Sequence, residues 1–472
     1  MARRPGPRPV ALAAALVALA TWMGSAAGDR ASAQGAAPQP HAYPDRGPMT
    51  LALTGDSIIV QPLSPHVEPE FTRLIDLVRG ADAAFTNLEM LFHDYEPYPS
   101  TQSGGTYMRA DPALAKEIVW AGFDLVGQAN NHTGDYGVLG AQLTAKYVRE
   151  AGLVGAGFGE SLREAREAKF YESAKGRVAL VAVSSTFPDG SRAGDSWGDT
   201  KARPGLAPLR YTTTQVVTRP QFDALRAALQ GASVSTGGAG ASATEMTALG
   251  RTFVVGDRTG VRTEPLKEDL EAMAAVVSNA DRQADYVIVS SHTHENAGDR
   301  YVPPEFFVTF ARRMIDAGAD MVVTSGPHVL RGIEIYKNRP IFYSLGDFIF
   351  QNETLLRQPP ENYEPFGMPR GSGVADFNDE RTKNGTIGFP ADPYIFESVV
   401  AMPTFSGDRM TTLTLHPISL GFGQPRSRRG RPVLADPALS TKIIGDLQKF
   451  SAPYKTTIEL KDGVGVVVLP GS

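Results

Sequence analysis

The sequence predicts an α/β protein whose functional side chains gather at the carboxyl ends of its strands. Two observations carry this. Short apolar runs alternate with amphipathic, helix-period segments over most of the chain, the pattern of a layered α/β domain. Several of those runs stop at polar turns that hold Asp, Glu, Asn or His, and in open α/β sheets ligands bind outside that edge.

Bulk composition narrows the chemistry. The 472 residues suffice for one large or two ordinary domains. A formal net charge of -5 argues against a nucleic-acid partner, which would call for a basic excess. There is no cysteine, so thiol catalysis, zinc-thiolate sites and disulfides are excluded, and any metal must be held by nitrogen and oxygen.

The chain opens with Arg3, Arg4 and Arg8 ahead of an apolar run over residues 10–20, with small-residue cleavage options at 25–27 and 31–33. This is the pattern of an export signal over residues 1–33, followed by a flexible linker over 34–48. An uncleaved membrane tether is the alternative reading, because the apolar stretch could just reach spanning length. Either way the expected location is exported, periplasmic or extracellular.

A single domain is expected over 49–472. Its first strand, residues 50–54, ends at Gly55-Asp56, where the backbone can turn sharply and leave a carboxylate at the sheet edge. A helix follows over 70–79, with Phe71, Leu74, Ile75 and Val78 on one face. The strand 83–86 leads to Asn87-Leu88-Glu89, whose outer residues share a side in extended backbone. After a loop rich in Pro, Gly and Tyr comes a helix over 111–121, with Pro112 in its first turn. The strand 123–127 then runs into Asn131, His132 and Asp135, and a helix over 137–149 leaves them.

The pattern continues with a strand over 177–183. Residues 186–264, with a low-complexity core at 231–244, read as an insertion or flexible loop with some strand near 252–255. A helix over 267–280 precedes a strand, 285–290, that ends in His292-Thr293-His294. A helix over 304–317, a strand over 320–323 ending near His328, and a hairpin turning at Asn338-Arg339 complete this half. Residues 351–392 read as an inserted loop over the strand-end edge. Strands at 397–402 and 410–415, an amphipathic helix over 437–450 and a strand at 464–469 close the domain.

Four of the eight histidines, His132, His292, His294 and His328, fall at strand ends beside Asp56, Glu89 and Asn131. His292 and His294 alternate with Thr293, so both imidazoles can face one ion. Imidazole, carboxylate and Asn carbonyl together suit Zn, Mn or Fe, as one or two divalent ions. Two ions bridged by a carboxylate would activate water and neutralise a tetrahedral transition state, with His132 and Asp135 as the candidates for proton transfer. His294 reads equally well as a ligand or as an outer histidine. Arg109 is a candidate anion clamp for a phosphate or carboxylate, with a solvated arginine as the alternative. Arg426, Arg428, Arg429 and Arg431 read as a solvated loop, or less readily as a polyanion contact.

These segments resemble, in order, the poly-γ-glutamate capsule-synthesis (CapA-type) family of the calcineurin-like metallophosphoesterase superfamily. The matching pieces are Leu53-Thr-Gly-Asp56, Asn87-Leu-Glu89, the run from Ala129 through Asn131, His132 and Asp135 to Gly137, His292, and Gly326-Pro-His-Val329. The stretch from Arg331 to Phe350 is equally similar. The resemblance implies a four-layer α/β/β/α sandwich of metallophosphoesterase type, with Asp56, Glu89, Asn131, His132, His292 and His328 at a metal site. It implies a metal-dependent hydrolase acting on an anionic envelope polymer or phosphoester, working with capsule-synthesis subunits; the alternative is a non-hydrolytic assembly component. The chain departs from the family pattern at His292-Thr-His-Glu-Asn296, where His-Trp-Gly-x-Glu is usual. It departs again at Thr324-Ser-Gly-Pro-His328, for Gly-His-His-Pro-His, and at Asp347, for Asn.

Overall fold

A computed structural model describes residues 47–232, 234 and 242–469. The expected export signal and most of the linker lie outside the described residues. No helix among the described residues is long and apolar enough to cross a membrane.

Two sheets stack face to face. In the ten-stranded sheet, four parallel strands lie side by side: β1 (Met49–Ile58), β2 (Ala83–Asn87), β3 (Leu125–Gly127) and β4 (Val154–Ala156). Glu397–Ser406 extends the sheet antiparallel to β1, and Asp347–Phe350 pairs with the far end of β1 in parallel. The six-stranded sheet has the order Ile333–Tyr336, Arg339–Phe342, Met321–Ser325, Tyr286–His292, Arg177–Ser184 and Lys169–Glu172, and its inner strands are also parallel.

The alternation of side chains along each strand sets the layers. Leu51 and Leu53 of β1 enter the core between the sheets, with Phe85, Leu125, Leu180, Ile288 and Val323. Ala52, between them, faces the other way, against Phe71, Leu74 and Val78 of helix α1 (Pro69–Arg79). On the far side, Val181, Val183, Val287 and Val289 meet Met273 and Val277 of Lys267–Asp281 and the phenylalanines of Glu305–Asp316. Phe306, Phe307 and Phe310 are fully buried there, each contributing about 1.5–3 kcal/mol. The result is helix, sheet, sheet, helix, the four-layer order that the resemblance implies.

Residues 186–264 differ from the loop expected. Glu245–Ala248, Arg251–Val255, Tyr211–Val217 and Gly260–Pro265 form a four-stranded sheet, and Phe222 and Leu229 of the helix Arg219–Gly231 pack with Met246 in a small core of their own. These strands are polar and half exposed, so they lack the apolar run that marks a buried strand. Residues 351–392 hold two short helices, Pro360–Tyr363 and Val374–Thr382, rather than open loop.

Both large sheets deliver strand ends to one place. The pairing of β1 with β2 breaks register between Leu53 and Asp56, and a second irregularity follows at Asp56/Ser57. There the Asp56 N–H donates to Gly346 O at 3.0 Å. A Cβ on Gly55 would lie 1.8 Å from that same oxygen, so only glycine permits the approach.

Candidate metal centre

The strand ends converge on Glu89. Its carboxylate is fully buried, and neither oxygen has a hydrogen-bond partner among the described residues. Around it stand His132 Nε2 at 3.6 Å, His292 Nε2 at 3.6 Å and His328 Nδ1 at 3.9 Å. These separations are too long for hydrogen bonds.

Each neighbour is held by its own element. His132 sits in the turn between β3 and helix α2 (Gly137–Ala151), and its Nδ1 lies 2.7 Å from Asp135 Oδ2. Asp135 also accepts N–H groups of Gly104 at 3.0 Å and Met108 at 2.8 Å. Both of its oxygens are therefore engaged and the residue is fully buried, so Asp135 orients His132 and is closed to a substrate. Asn131 donates its Nδ2 to Gly104 O at 3.0 Å, and its buried Oδ1 has no partner among the described residues.

Asp56 accepts the Gly326 N–H at 2.8 Å and Asn87 Nδ2 at 2.6 Å, and His292 Nδ1 lies 3.4 Å away. His292 Nε2 in turn lies 2.9 Å from His294 Nε2. His328 is placed by the turn Gly326-Pro327-His328, whose first and last residues take φ of +116° and +55°. Its Nδ1 lies 2.8 Å from Asp347 Oδ1. Asp347 is the site residue that sequence reasoning named only as a departure. The available signal was its Gly346-Asp347 step, which repeats Gly55-Asp56.

The electrostatics follow from burial and proximity. Burial, then Asp56, raises the Glu89 carboxyl well above the usual range. Burial pushes Asp56 up too, but His292 and His328 outweigh it and hold Asp56 below its ordinary value. Burial lowers His292, and it lowers His294 further with His292 and His328 adding to it. For His328 burial is overcome by Asp347 and Glu89, which raise it to about 10.

Two groups offer ligand atoms within 4.8 Å of one another: Glu89, His294 and His328; and Asp56, Glu89, His328 and Asp347. They share Glu89 and His328. A buried carboxylate with two orphaned oxygens among imidazoles is unfavourable by several kcal/mol unless a cation compensates it. Asp347 Oδ2 is orphaned in the same way. The residues therefore fit a divalent ion with nitrogen and oxygen ligands.

Two expectations are corrected, those for Arg109 and for the arginine cluster. Arg109 is neither solvated nor an anion clamp. It is buried, donates Nε to His93 O at 2.6 Å and Nη2 to Asp94 Oδ1 at 2.8 Å, and its guanidinium lies 4.1 Å from the centre of the Tyr95 ring. Glu295, close to the usual glutamate position, is occupied by the hydroxyls of Ser185 at 2.8 Å and Thr186 at 3.0 Å. In the arginine cluster, Arg426 and Arg429 meet Glu353 and Arg431 meets Glu68, so these cations fasten the fold.

Fold and site together define a four-layer α/β/β/α protein with a buried His-carboxylate centre at its strand ends. The profile of the bacterial capsule synthesis protein family, PGA_cap, matches residues 50–352, and the chain belongs to that family. Protein y4sH of Sinorhizobium fredii is 35% identical over 432 residues, covering 89% of this chain and 93% of that protein. Capsule biosynthesis protein CapA of Bacillus anthracis is 25% identical over 360 residues, 74% of this chain and 70% of that protein. PGA biosynthesis protein CapA of Bacillus subtilis is 27% identical over 339 residues, 69% and 68%. Among solved structures, the NAD nucleotidase NadN of Haemophilus influenzae aligns with a TM-score of 0.31 and 12% identity, over 85% of this chain and little more than half, 56%, of that one.

Proposed function

We propose that the protein is an exported, divalent-metal-dependent hydrolase of capsule or poly-γ-glutamate assembly, acting on an envelope polymer or a phosphoester. The observation that supports this reading is Glu89: a buried carboxylate with two free oxygens, flanked by His132, His292 and His328. Asp56, Glu89, His292, His294, His328 and Asp347 would hold the metal, with Asn131 Oδ1 as a further donor. A divalent ion bound there lowers the pKa of water and offsets charge developing on a tetrahedral centre. His132, oriented by Asp135, would move a proton through Nε2. Export is supported by the charged, apolar and small-residue order of residues 1–33.

A non-hydrolytic role in assembly, as a binding component alongside capsule-synthesis subunits, draws on a different observation. Asp56, Glu89 and His292 are all fully closed to solvent, which suits a structural ion better than one that must exchange water. Metal analysis of the purified protein separates the two, combined with hydrolysis of a phosphodiester and of poly-γ-glutamate by wild type and His132→Ala. The hydrolase reading expects a bound transition metal and turnover that metal stimulates and His132→Ala removes. Absence of both the metal and the turnover overturns it.

A further inference from the structure

Gly430 fixes where the arginine loop of residues 426–431 sits. It takes a φ of +87°, its carbonyl accepts the Phe350 N–H at 2.8 Å, and a Cβ on it would collide with Phe350 O. The loop is thereby clamped to the strand Asp347–Phe350, whose Phe350 ring lies 5.2 Å from that of His328. Just past the clamp the Gln351 N–H donates to Ile58 O at 2.9 Å, so this strand and β1 leave the sheet together. Where they leave, Gln61 and Gln351 meet Ser427, Arg428, Arg429 and Arg431 around a cavity of about 320 Å³.

Two of the three arginines are engaged within the protein. Arg429 Nη2 holds Glu353 at 2.6 Å, and Arg431 Nη2 holds Glu68 at 2.8 Å. Glu68 is the one acid in the cavity wall, and that pair neutralises it. Arg428 is different. It is exposed, and its guanidinium has no ion-pair, hydrogen-bond or ring partner among the described residues. Gln351 is only 6% exposed, and its Oε1 accepts the N–H groups of Val60 at 2.7 Å and Gln61 at 2.8 Å. Only the oxygen of an amide can take two backbone donors, so the orientation is fixed and the NH2 group is the free end. That NH2 group has no acceptor among the described residues, and neither the Ser427 hydroxyl nor the Gln61 side chain has a partner there. The cavity therefore holds unengaged donors, one of them cationic, and no unengaged carboxylate. A largely buried donor without an acceptor is unfavourable until a ligand or water supplies one.

We propose that this cavity is an oxyanion subsite, in which Arg428 and the Gln351 NH2 group hold one carboxylate or phosphate group of a ligand. A guanidinium is all donor, and its planar fork matches two oxygens of either group. The volume lies near the lower end of small-molecule sites, about 300–1,000 Å³, which suits one charged unit rather than a length of chain. Asp347 meets His328 at the candidate metal centre, and Gln351 follows four residues on, about 13 Å along an extended strand. A ligand seated at both places carries its anionic group one or two units from the reacting bond, so the substrate class becomes a polyanion rather than a small ester. That last step rests on the hydrolase reading above, whereas binding of the oxyanion does not.

The test is calorimetric titration of the full chain, stripped of metal and then freed of chelator, which is itself a carboxylate. The ligands are inorganic phosphate, glycerol phosphate and a γ-linked glutamate hexamer, with maltohexaose as the uncharged comparison. Arg428→Gln removes the free cation at an exposed position. Gln351→Glu keeps an oxygen for the Val60 and Gln61 N–H groups and puts a second, anionic oxygen where the NH2 group stood. Arg251→Gln, at an exposed position of the separate four-stranded sheet, is the charge-matched control. The expected result is saturable binding of at least one anion, weakened about tenfold or more by Arg428→Gln and Gln351→Glu and unchanged in Arg251→Gln. Binding of the phosphates or of the hexamer supports the proposal equally and assigns the group as phosphate or carboxylate. The proposal is overturned if no anion binds at about 10 mM, if either site variant binds as wild type does, or if Arg251→Gln weakens binding as much. It is also overturned if maltohexaose binds as tightly as the anions. Thermal unfolding checks that each variant is folded, and Arg428→Gln decides alone if Gln351→Glu is not. Because metal and turnover play no part in this assay, its failure leaves the hydrolase reading standing, and failure of that reading leaves this one.

Discussion

Asp135 Oδ2 lies 2.7 Å from His132 Nδ1, and His132 Nε2 lies 3.6 Å from Glu89 Oε1. The first contact sets the second, because a carboxylate on Nδ1 fixes the ring's orientation and leaves Nε2 facing Glu89. Replacing Asp135 by Asn keeps the size but removes the charge. Turnover of Asp135→Asn at saturating metal is expected to fall about 10- to 100-fold. Unchanged turnover would mean that His132 is oriented by its backbone alone.

Glu89→Gln separates the metal's contribution from that of the fold. In chelator the wild-type protein buries an unpartnered carboxyl, whose pKa is raised well above the usual range by burial and by Asp56. The amide has nearly the same shape, so its thermal midpoint in chelator should match or exceed that of wild type. Added Mn or Zn at 100 times Kd should stabilise wild type by about 2.7 kcal/mol and leave Glu89→Gln unmoved. Equal metal stabilisation of both proteins would remove Glu89 from the ligand set.

Metal binding should release a proton from His328. Without metal, burial lowers this imidazole, but Asp347 at 2.8 Å and then Glu89 outweigh it and raise it to about 10. Its folded pKa therefore exceeds the unfolded value, so its stabilising effect is complete below about 6.5 and is lost as pH rises towards 10. A metal needs the neutral ring, so affinity should rise about tenfold per pH unit from 6 to 8. Asp347→Asn removes the main stabiliser of the imidazolium, and the slope should flatten even as affinity drops. A pH-independent affinity in wild type would exclude His328 as a ligand.

Gly55 tests how the strands reach the site. Its missing Cβ lets β1 approach Gly346 O, which a methyl would meet at 1.8 Å. Gly55→Ala must part β1 from Asp347–Phe350, which is expected to cost about 1–3 kcal/mol in urea unfolding. It should also displace Asp56 and Asp347 together, lowering metal affinity. A variant as stable as wild type would show that the two strands can separate freely.

Most of this site was legible because its side chains are local features of strand ends. Asp56, Glu89, His132, His292 and His328 each stand within a few residues of the end of an apolar run, and the periodicity of that run predicts where it stops. Asp347 was harder to read, because its role depends on a contact with His328 across 19 positions that no local pattern encodes. Arg109 illustrates the opposite error, since an arginine in a polar loop looks available until Asp94 and Tyr95 are seen to enclose it. The sheet within 211–265 escaped notice for a third reason. Its strands, such as Tyr211–Val217 and Gly260–Pro265, gain their order from pairing with one another, so their sequences stay polar.

His93 is a buried histidine outside the candidate metal centre, and it should make the fold sensitive to acid. Its Nδ1 accepts the Tyr95 N–H at 3.0 Å, its ring packs edge-on to Tyr136 at 4.3 Å, and its Nε2 has no partner among the described residues. Burial, then the nearby Arg109, pushes its pKa down to about 4. In the unfolded chain the ring takes up a proton near pH 6.5, whereas in the folded protein it stays neutral until about 4. Between those values the unfolded state binds more protons, so stability falls as pH falls, by on the order of 2–3 kcal/mol in total. Gln at this position can still accept the Tyr95 N–H but does not titrate. Urea unfolding of wild type and His93→Gln at pH 7, 6, 5 and 4 should give stabilities whose difference narrows or reverses towards acid, and parallel curves would mean that His93 titrates normally.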